Sequence, residues 1–169
     1  LEERSKNITG ILRGFKNLEK TNPNFILSIG GDGDLKELDE KIKEHGPTRD
    51  KVELISEQPI EGIANLMRSS SCLVMFSHFE NQPCTILEAL CCGLPIISSD
   101  VGGIPEVLSD DNGLLIPAED EAAFAEGLIK MMNSVNKYKA HHIAKEAHQL
   151  YSYQAVAKRL DEIYVNVLN

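Results

Sequence analysis

Apolar positions along the chain follow two alternating patterns, helical spacing and short unbroken runs. Residues three or four apart are apolar between positions 8 and 18, and this stretch ends before Asn22-Pro23, so it predicts an amphipathic helix. The same spacing predicts further helices at 35–42, 60–67, 87–91, 124–132 and 156–167. Short apolar runs predict strands at 25–29, 52–55, 72–76, 95–98 and 114–116. The run 72–76 is typical of a central parallel strand because it is apolar on both faces.

Strands that alternate with helices are typical of a doubly wound, Rossmann-like α/β domain, in which helices cover both faces of a parallel sheet. The length of 169 residues is that of one domain, so we expect residues 1–169 to form a single unit that ends in helices. Ligands of such domains bind at the C-terminal ends of the strands. The loops that follow the strands are therefore the places to look for chemistry.

The charge balance narrows the ligand class. Lys and Arg number 17 against 26 Asp and Glu, a formal net charge of -9 that repels nucleic acid. A phosphorylated small molecule remains compatible with this charge, because one lysine and a helix N-terminus form a local cationic pocket. No stretch is long and apolar enough for a membrane span, and no signal-peptide pattern opens the sequence, so a cytoplasmic protein is predicted.

The cysteines and histidines do not form a metal-ligand pattern. The cysteines at 72, 84, 91 and 92 form no C-x-x-C pair and three lie in apolar runs, so we expect buried, reduced thiols. The histidines at 141, 142 and 148 lie in a polar helical stretch, which is typical of a solvated helix face.

Two glycine-rich loops follow predicted strands. The turn Gly30-Gly31-Asp32-Gly33-Asp34 opens a helix and so resembles a phosphate-binding turn, although it lacks a third glycine at the required offset. The paired glycines at 102 and 103 would let backbone amides approach an anion. For each loop, a plain tight turn explains the pattern equally well.

Two glutamates flank the loop after the run 72–76. Glu80 lies in the loop and Glu88 lies one turn into the next helix, so both carboxylates can face one crevice. Two alternatives stay open. The segment from Thr85 to Glu88 also fits a helix capping box, and Glu80 also fits an ordinary solvated loop carboxylate.

Four segments together resemble one known family. They are Glu80 and Glu88 with seven residues between them, 89–95 (Ala-Leu-Cys-Cys-Gly-Leu-Pro), 100–106 (Asp-Val-Gly-Gly-Ile-Pro-Glu) and 112–117 (Asn-Gly-Leu-Leu-Ile-Pro). In this order, they resemble the C-terminal half of retaining nucleotide-sugar glycosyltransferases of group one, or family four, which have the two-Rossmann GT-B architecture. The resemblance extends from residue 5 to about residue 132.

The resemblance implies roles for individual residues. Glu80 matches the first glutamate of the E-x7-E motif, which lies near the donor sugar and positions the transition state, and Glu88 matches the second, which holds the ribose hydroxyls. Lys6 matches the lysine that pairs with the donor diphosphate. Other residues match the glycine-rich turn, the nucleobase position, and the loop and helix start whose amides approach the sugar and diphosphate. These are Gly31, Gly33, Ile60, Asn81, Gln82, Cys84 and Thr85.

The resemblance also implies a function and its limits. The chain would be the donor-binding half of a glycosyltransferase in polysaccharide or glycan biosynthesis, with a UDP-sugar rather than a GDP-sugar as donor and no metal. The family's opening strand, which ends in Gly-Arg, and its N-terminal acceptor domain are expected to be absent here. The sugar, lipid-linked or glycan acceptor, and any contact with the inner face of the membrane, would come through that domain. The fragment alone is therefore expected to be inactive.

Two other functions are compatible with the same architecture. A nucleotide-sugar epimerase would need acid and base groups in the crevice, and the E-x7-E pattern argues against it. A non-catalytic binding module would be favoured if the chain bound no nucleoside diphosphate. The family also commonly has glycine at the position of Asn81, which bears on how the donor sugar fits.

Overall fold

The computed structural model describes residues 3–31 and 34–168. Its strands in this part of the chain are β1 (Leu27–Gly30), β2 (Val52–Ile55), β3 (Leu73–Met75), β4 (Ile96–Ser99) and β5 (Gly113–Ile116). Its helices are α1 (Glu3–Lys6), α2 (Ile8–Glu19), α3 (Leu35–His45), α4 (Ile60–Ser69), α5 (Cys84–Cys91), α6 (Glu121–Ser134), α7 (Ala140–Tyr151) and α8 (Tyr153–Leu168). Single 3-10 turns lie at Arg49–Lys51, Ile104–Glu106 and Val135–Lys137. Each predicted helix and strand has a counterpart here, so the predicted α/β alternation is confirmed.

All strand pairs are parallel, but the described strands form two sheets rather than one. β1 pairs with β2, and β4 lies between β3 and β5 in the second sheet. All four side chains of β4 are buried, whereas Leu73 and Val74 of β3 are partly exposed. The expectation that 72–76 forms a central strand is wrong within the described residues, because β3 pairs only with β4 there. An apolar run indicates that helices cover both faces of the strand, and helices can cover both faces of an edge strand as well.

Helix α2 is anchored to the second sheet through two aromatic rings. Its inner face buries Leu12 and Leu18, and Gly14 faces α6 so closely that an added Cβ would lie 2.5 Å from the Phe124 ring. Phe124 in turn stacks on Phe76, with ring centroids 4.3 Å apart and planes 8° from parallel. Because Phe76 directly follows β3, this stack fixes α2 relative to the loop that leaves β3.

A single asparagine turns the chain between α1 and α2. Asn7 has left-handed backbone angles (φ 50°, ψ 50°), and its buried side chain accepts a hydrogen bond of 3.0 Å from the Gly10 N–H. Asparagine is among the few residues that adopt this conformation readily, and it is a strong helix N-cap. A Cβ at Gly10 would lie 2.6 Å from the Asn7 carboxamide, which explains a glycine inside the first turn of α2. Lys6 therefore lies directly before a helix start that Asn7 holds in one conformation.

The C-terminal helices follow the last strand, as predicted. α7 packs against α5, and α8 follows α7 without burying any of its side chains. The histidines at 141, 142 and 148 are exposed on α7, which confirms the predicted solvated face. Within the described residues, no helix has the length and apolar character needed to cross a membrane.

The cysteine thiols are free, but they are less buried than expected. Cys84 is exposed because it begins α5, and Cys72, Cys91 and Cys92 are partly exposed, so the expectation of buried thiols is wrong for Cys84 and too strong for the others. Burial nevertheless raises the pKa of the Cys72 thiol to about 11, since desolvation disfavours the thiolate.

Candidate functional site

The loop after β3 carries a buried glutamate. Only 8% of Glu80 is exposed, and both of its side-chain contacts are made by the same carboxylate oxygen. Lys6 Nζ donates to Oε1 at 2.5 Å, and Ser77 Oγ donates to Oε1 at 2.8 Å. A buried carboxylate is costly unless it is paired and hydrogen-bonded, and both conditions hold here. The alternative of a solvated loop carboxylate is therefore wrong.

The start of the chain reaches this loop through two contacts. The His78 N–H donates to the Ser5 carbonyl oxygen at 2.9 Å, beside the Lys6–Glu80 ion pair. Two residues further on, Ile8 lines a shallow hollow next to Gly31, which directly follows β1. The junction between α1 and α2 therefore lies between the C-terminal ends of both sheets, where ligands of such folds bind.

The paired glycines after β4 hold the Glu80 loop from the other side. Gly102 has φ 57°, and a Cβ at this position would overlap the Glu80 carbonyl oxygen. The Gly103 N–H donates to the Asn81 carbonyl oxygen at 2.6 Å. The amide of Gly103 is therefore engaged with the protein rather than open to an anion. The requirement for glycine here comes from close backbone contact between the two loops.

A buried serine lies behind the glutamate. Ser77 is 2% exposed, and its carbonyl oxygen accepts a hydrogen bond of 2.7 Å from Ser99 Oγ at the end of β4. The sequence-based interpretation did not identify either serine. The signal that could have found Ser99 is two consecutive serines at the end of a strand that is otherwise buried and apolar.

Helix α5 begins beside Glu80 with open backbone donors. Pro83 is its N-cap and makes no side-chain capping bond, so Thr85 lies inside the helix and the capping-box interpretation is wrong. The amides of Cys84 and Thr85 belong to the first turn, where a helix has no partners for its N–H groups. These amides and the helix dipole favour an anion at this end.

Glu88 lies one turn into α5, as predicted, and it is exposed. Within residues 3–31 and 34–168 no hydrogen bond or ion pair engages its carboxylate. Asn81 and Gln82 are also exposed, in the loop between Glu80 and α5. The carboxylate of Glu88 is thus open to a ligand, while that of Glu80 is largely enclosed.

The residues assigned to the other sheet are placed more loosely. Gly31 is exposed at the end of β1, and Asp34 accepts a hydrogen bond of 2.8 Å from the Lys36 N–H, so Asp34 is the N-cap of α3. Ile60 begins α4 and is 82% exposed. Gly33 lies outside the described residues. The structure thus brings together Lys6, Glu80 and the loops around Glu80, while Gly31 and Ile60 follow the strands of the other sheet.

The chain matches one known family over most of its length. Residues 2–150 match the model of the glycosyl transferases group 1, and the chain belongs to this family. A phosphatidylinositol N-acetylglucosaminyltransferase subunit of Arabidopsis thaliana is 34% identical over 148 residues, which are 86% of this chain and 32% of that protein. The Homo sapiens protein of the same name is 29% identical over 151 residues, 86% of this chain and 30% of that protein. The chain thus spans about a third of the length of these relatives.

Solved structures of glycosyltransferases share the fold. The lipopolysaccharide outer core galactosyltransferase WaaB superposes with a TM-score of 0.80 at 24% identity, over 98% of this chain and 47% of that chain. Anabaena HepE in complex with UDP-glucose superposes with a TM-score of 0.79 at 20% identity, over 98% of this chain and 46% of that chain. The predicted family and the predicted Rossmann-like parallel α/β fold are both confirmed.

Proposed function

We propose that this chain is the donor-binding half of a retaining glycosyltransferase and that its ligand is a nucleotide-diphosphate sugar. The observation that carries the proposal is the ion pair between the half-exposed Lys6 and the buried Glu80, close to the first-turn amides of Cys84 and Thr85. Family membership supports the proposal. The names of a relative, an N-acetylglucosaminyltransferase subunit, and of a solved structure, a galactosyltransferase, support it as well. A UDP-sugar is favoured over a GDP-sugar because HepE was solved with UDP-glucose.

The diphosphate binds between Lys6 and the start of α5. At long range the ammonium of Lys6 and the carboxylate of Glu80 cancel, on a protein with a net charge of -9. Lys6 is 39% exposed, and an ammonium group has three N–H donors, so it can serve Glu80 and a phosphate oxygen together. The amides of Cys84 and Thr85 supply the remaining donors.

The nucleoside binds through side chains that are exposed after β2 and on α5. The Glu88 carboxylate accepts hydrogen bonds from the ribose hydroxyls, and the exposed Ile60 side chain packs against the base. Gly31, which directly follows β1, lets the backbone approach the ligand closely. Asn81 and Gln82 lie beside the donor sugar.

In the whole protein, Glu80 positions the donor sugar in the transition state, and the mechanism uses no metal. The acceptor, a sugar, lipid-linked sugar or glycan, is held by an N-terminal domain, in a protein of polysaccharide or glycan biosynthesis. The lipid in the name of the Arabidopsis relative is one example of such an acceptor. We further propose a cytoplasmic protein that reaches the inner face of the membrane only through that domain.

Calorimetric titration of the chain with UDP, GDP, ADP and uridine tests the proposal. We expect UDP to bind more tightly than the other diphosphates, and uridine to bind more weakly than UDP because it lacks the diphosphate. If no nucleoside diphosphate binds, the chain is a non-catalytic module and the proposal fails. Family membership already argues against the epimerase alternative.

An assay with UDP-sugars and sugar acceptors tests the assignment as a half-enzyme. Transfer requires donor and acceptor to be held in one geometry, so the 169-residue chain should transfer no sugar. Multiple-turnover transfer by the purified chain would contradict this part of the proposal.

A further inference from the structure

The two oxygens of the Glu80 carboxylate have different surroundings. Oε1 accepts hydrogen bonds from Lys6 and Ser77, whereas no described residue donates to Oε2. Among the described residues, no fully buried polar side-chain atom lacks a partner. Oε2 therefore reaches the surface of the loop. Within residues 3–31 and 34–168, the small exposed fraction of Glu80 therefore includes the oxygen to which no side chain or backbone group donates.

The two donors to Oε1 differ in how firmly they are held. Lys6 is 39% exposed at the end of a four-residue helix, and under the proposed function it shares its ammonium group with the diphosphate. Ser77 is 2% exposed and directly follows Phe76 of the aromatic stack, two residues after the end of β3. When the Lys6 ammonium group also binds a ligand, the Ser77 hydroxyl is the donor that remains fixed on Oε1 of Glu80.

Ser77 is itself held in place. Ser99 Oγ donates to the Ser77 carbonyl oxygen at 2.7 Å, and Ser99 is fully buried at the end of the central strand β4. A serine hydroxyl has one hydrogen to donate. Ser99 uses its hydrogen on the Ser77 backbone, and Ser77 uses its hydrogen on Glu80, so the direction of this chain of hydrogen bonds is fixed.

We propose that Ser77, held by Ser99, is a positioning residue that keeps Oε1 of Glu80 turned inward and Oε2 turned outward toward the donor sugar. This inference rests on the proposed function only for the identity of the ligand. The hydrogen-bonded chain and its asymmetry belong to the protein alone. Without Ser77, the donor left on Oε1 among the described residues would be Lys6, whose ammonium group is shared with the diphosphate and would hold the carboxylate less firmly.

The ratio of affinities for a UDP-sugar and for UDP tests the inference. The probes are UDP, UDP-glucose and UDP-N-acetylglucosamine, and the better bound of the two sugars is used. Ser77→Ala should weaken UDP-sugar binding about tenfold, while UDP affinity should change by less than about twofold, since UDP has no sugar to meet Oε2. Equal losses for UDP and the UDP-sugar would overturn the inference and make Ser77 a general structural residue.

Ser98→Ala is the matched control. Ser98 is fully buried on the same strand as Ser99, and its hydroxyl contacts only the Ser99 carbonyl oxygen at 3.4 Å among the described residues. We expect both affinities to stay at the wild-type level. A loss of the sugar-dependent affinity in Ser98→Ala as large as in Ser77→Ala would also overturn the inference.

A double-mutant cycle on unfolding in urea separates this inference from the proposed function, because it needs no ligand. Ser77→Ala and Glu80→Ala should be coupled by about fivefold or more in the folding equilibrium constant, and Ser98→Ala with Glu80→Ala by less than about twofold. Absence of coupling between Ser77 and Glu80 would refute the hydrogen-bonded chain even if UDP binds. If Ser77→Ala does not fold, Ser99→Ala replaces it in both experiments. We then expect about a threefold loss of the sugar-dependent affinity, and no loss would refute the inference.

Discussion

The C-terminal ends of the two sheets differ in how firmly they hold their candidate site residues. After β3, the Glu80 loop is tied by an ion pair, by two serine hydroxyls and by a backbone hydrogen bond from Gly103. After β1 and β2, Gly31 and Ile60 are exposed, and the Asp34 side chain is engaged as a helix cap. The residues after β3 are thus held in place by the protein itself, whereas the candidate residues after β1 and β2 lie exposed on the surface.

The difference corresponds to what each part of a nucleotide sugar needs. A charged group in a transition state is stabilised best by donors and acceptors that are already oriented. A nucleobase on an aliphatic side chain gains mainly from the apolar area removed from water, which requires little orientation. The loop after β3 therefore suits the sugar and diphosphate of a nucleotide sugar. The exposed residues after β1 and β2 suit its base.

Gly102→Ala should show the largest effect, because it disrupts the close contact between the Gly102 loop and the Glu80 loop. The new Cβ would overlap the Glu80 carbonyl oxygen at a backbone conformation with φ 57°. We expect a loss of about 3 kcal/mol in the free energy of unfolding, measured by urea denaturation. Gly30→Ala at the end of β1 is the control, since its Cβ would meet Ile55 at an ordinary 3.6 Å and should cost less than about 1 kcal/mol. Equal costs at the two positions would remove the contrast.

Lys6→Ala should have the next largest effect, on ligand binding. Under the proposed function it removes a charge-assisted hydrogen bond to the diphosphate, so UDP should bind more weakly by roughly 1–3 kcal/mol, while uridine should hardly change. Isothermal titration calorimetry measures both affinities. Lys43→Ala removes an exposed lysine that pairs with Asp39 on α3, and it should leave UDP binding unchanged. A similar loss for UDP and uridine would show that Lys6 is only structural.

The two glutamates should separate in the same titration. Under the proposed function, Glu88→Gln removes a charged acceptor of the ribose hydroxyls and should cost roughly 1–2 kcal/mol of UDP affinity, with little change in the melting temperature. Glu80→Gln should spare UDP affinity and lower the turnover rate of the whole enzyme. Glu126→Gln changes an exposed carboxylate on α6 and is the control. A larger loss in Glu80→Gln than in Glu88→Gln would reverse the assignment.

Asn7→Ala should cost about 1–2 kcal/mol in the free energy of unfolding, no more than Glu88→Gln costs in affinity. Alanine removes the N-cap of α2 and strains the left-handed backbone, whereas Asn7→Gly keeps the conformation and should cost only a few tenths of a kcal/mol. Urea denaturation of both variants measures the difference. Equal costs for alanine and glycine would mean that the left-handed turn contributes nothing.

The sequence predicted the order of elements well, because helical spacing and short apolar runs are local signals. β2, at Val52–Ile55, matches its predicted bounds in full, and α2 ends before Asn22-Pro23 as expected. Strand order is a different matter. Whether β3 lies at the centre or the edge depends on pairing between distant segments, which a run of apolar letters does not contain.

The candidate site shows the same division. The spacing of Glu80 and Glu88 correctly placed one in the loop and the other a turn into the helix. Burial of Glu80 and its contact with Lys6, 74 positions away, could not be read from spacing. The start of α5 at Cys84, with Pro83 and not Thr85 as the N-cap, also escaped prediction, because Pro83 makes no side-chain capping bond.

The stacked rings of Phe76 and Phe124 hold α2 in a fixed position in the core. Gly14 rests on Phe124, and Lys6 lies directly before the Asn7 turn that begins the same helix. A larger residue at position 14 would push the whole helix outward, and the ammonium of Lys6 would move with it. The packing of the core at position 14 therefore contributes to where the ammonium of Lys6 meets Glu80.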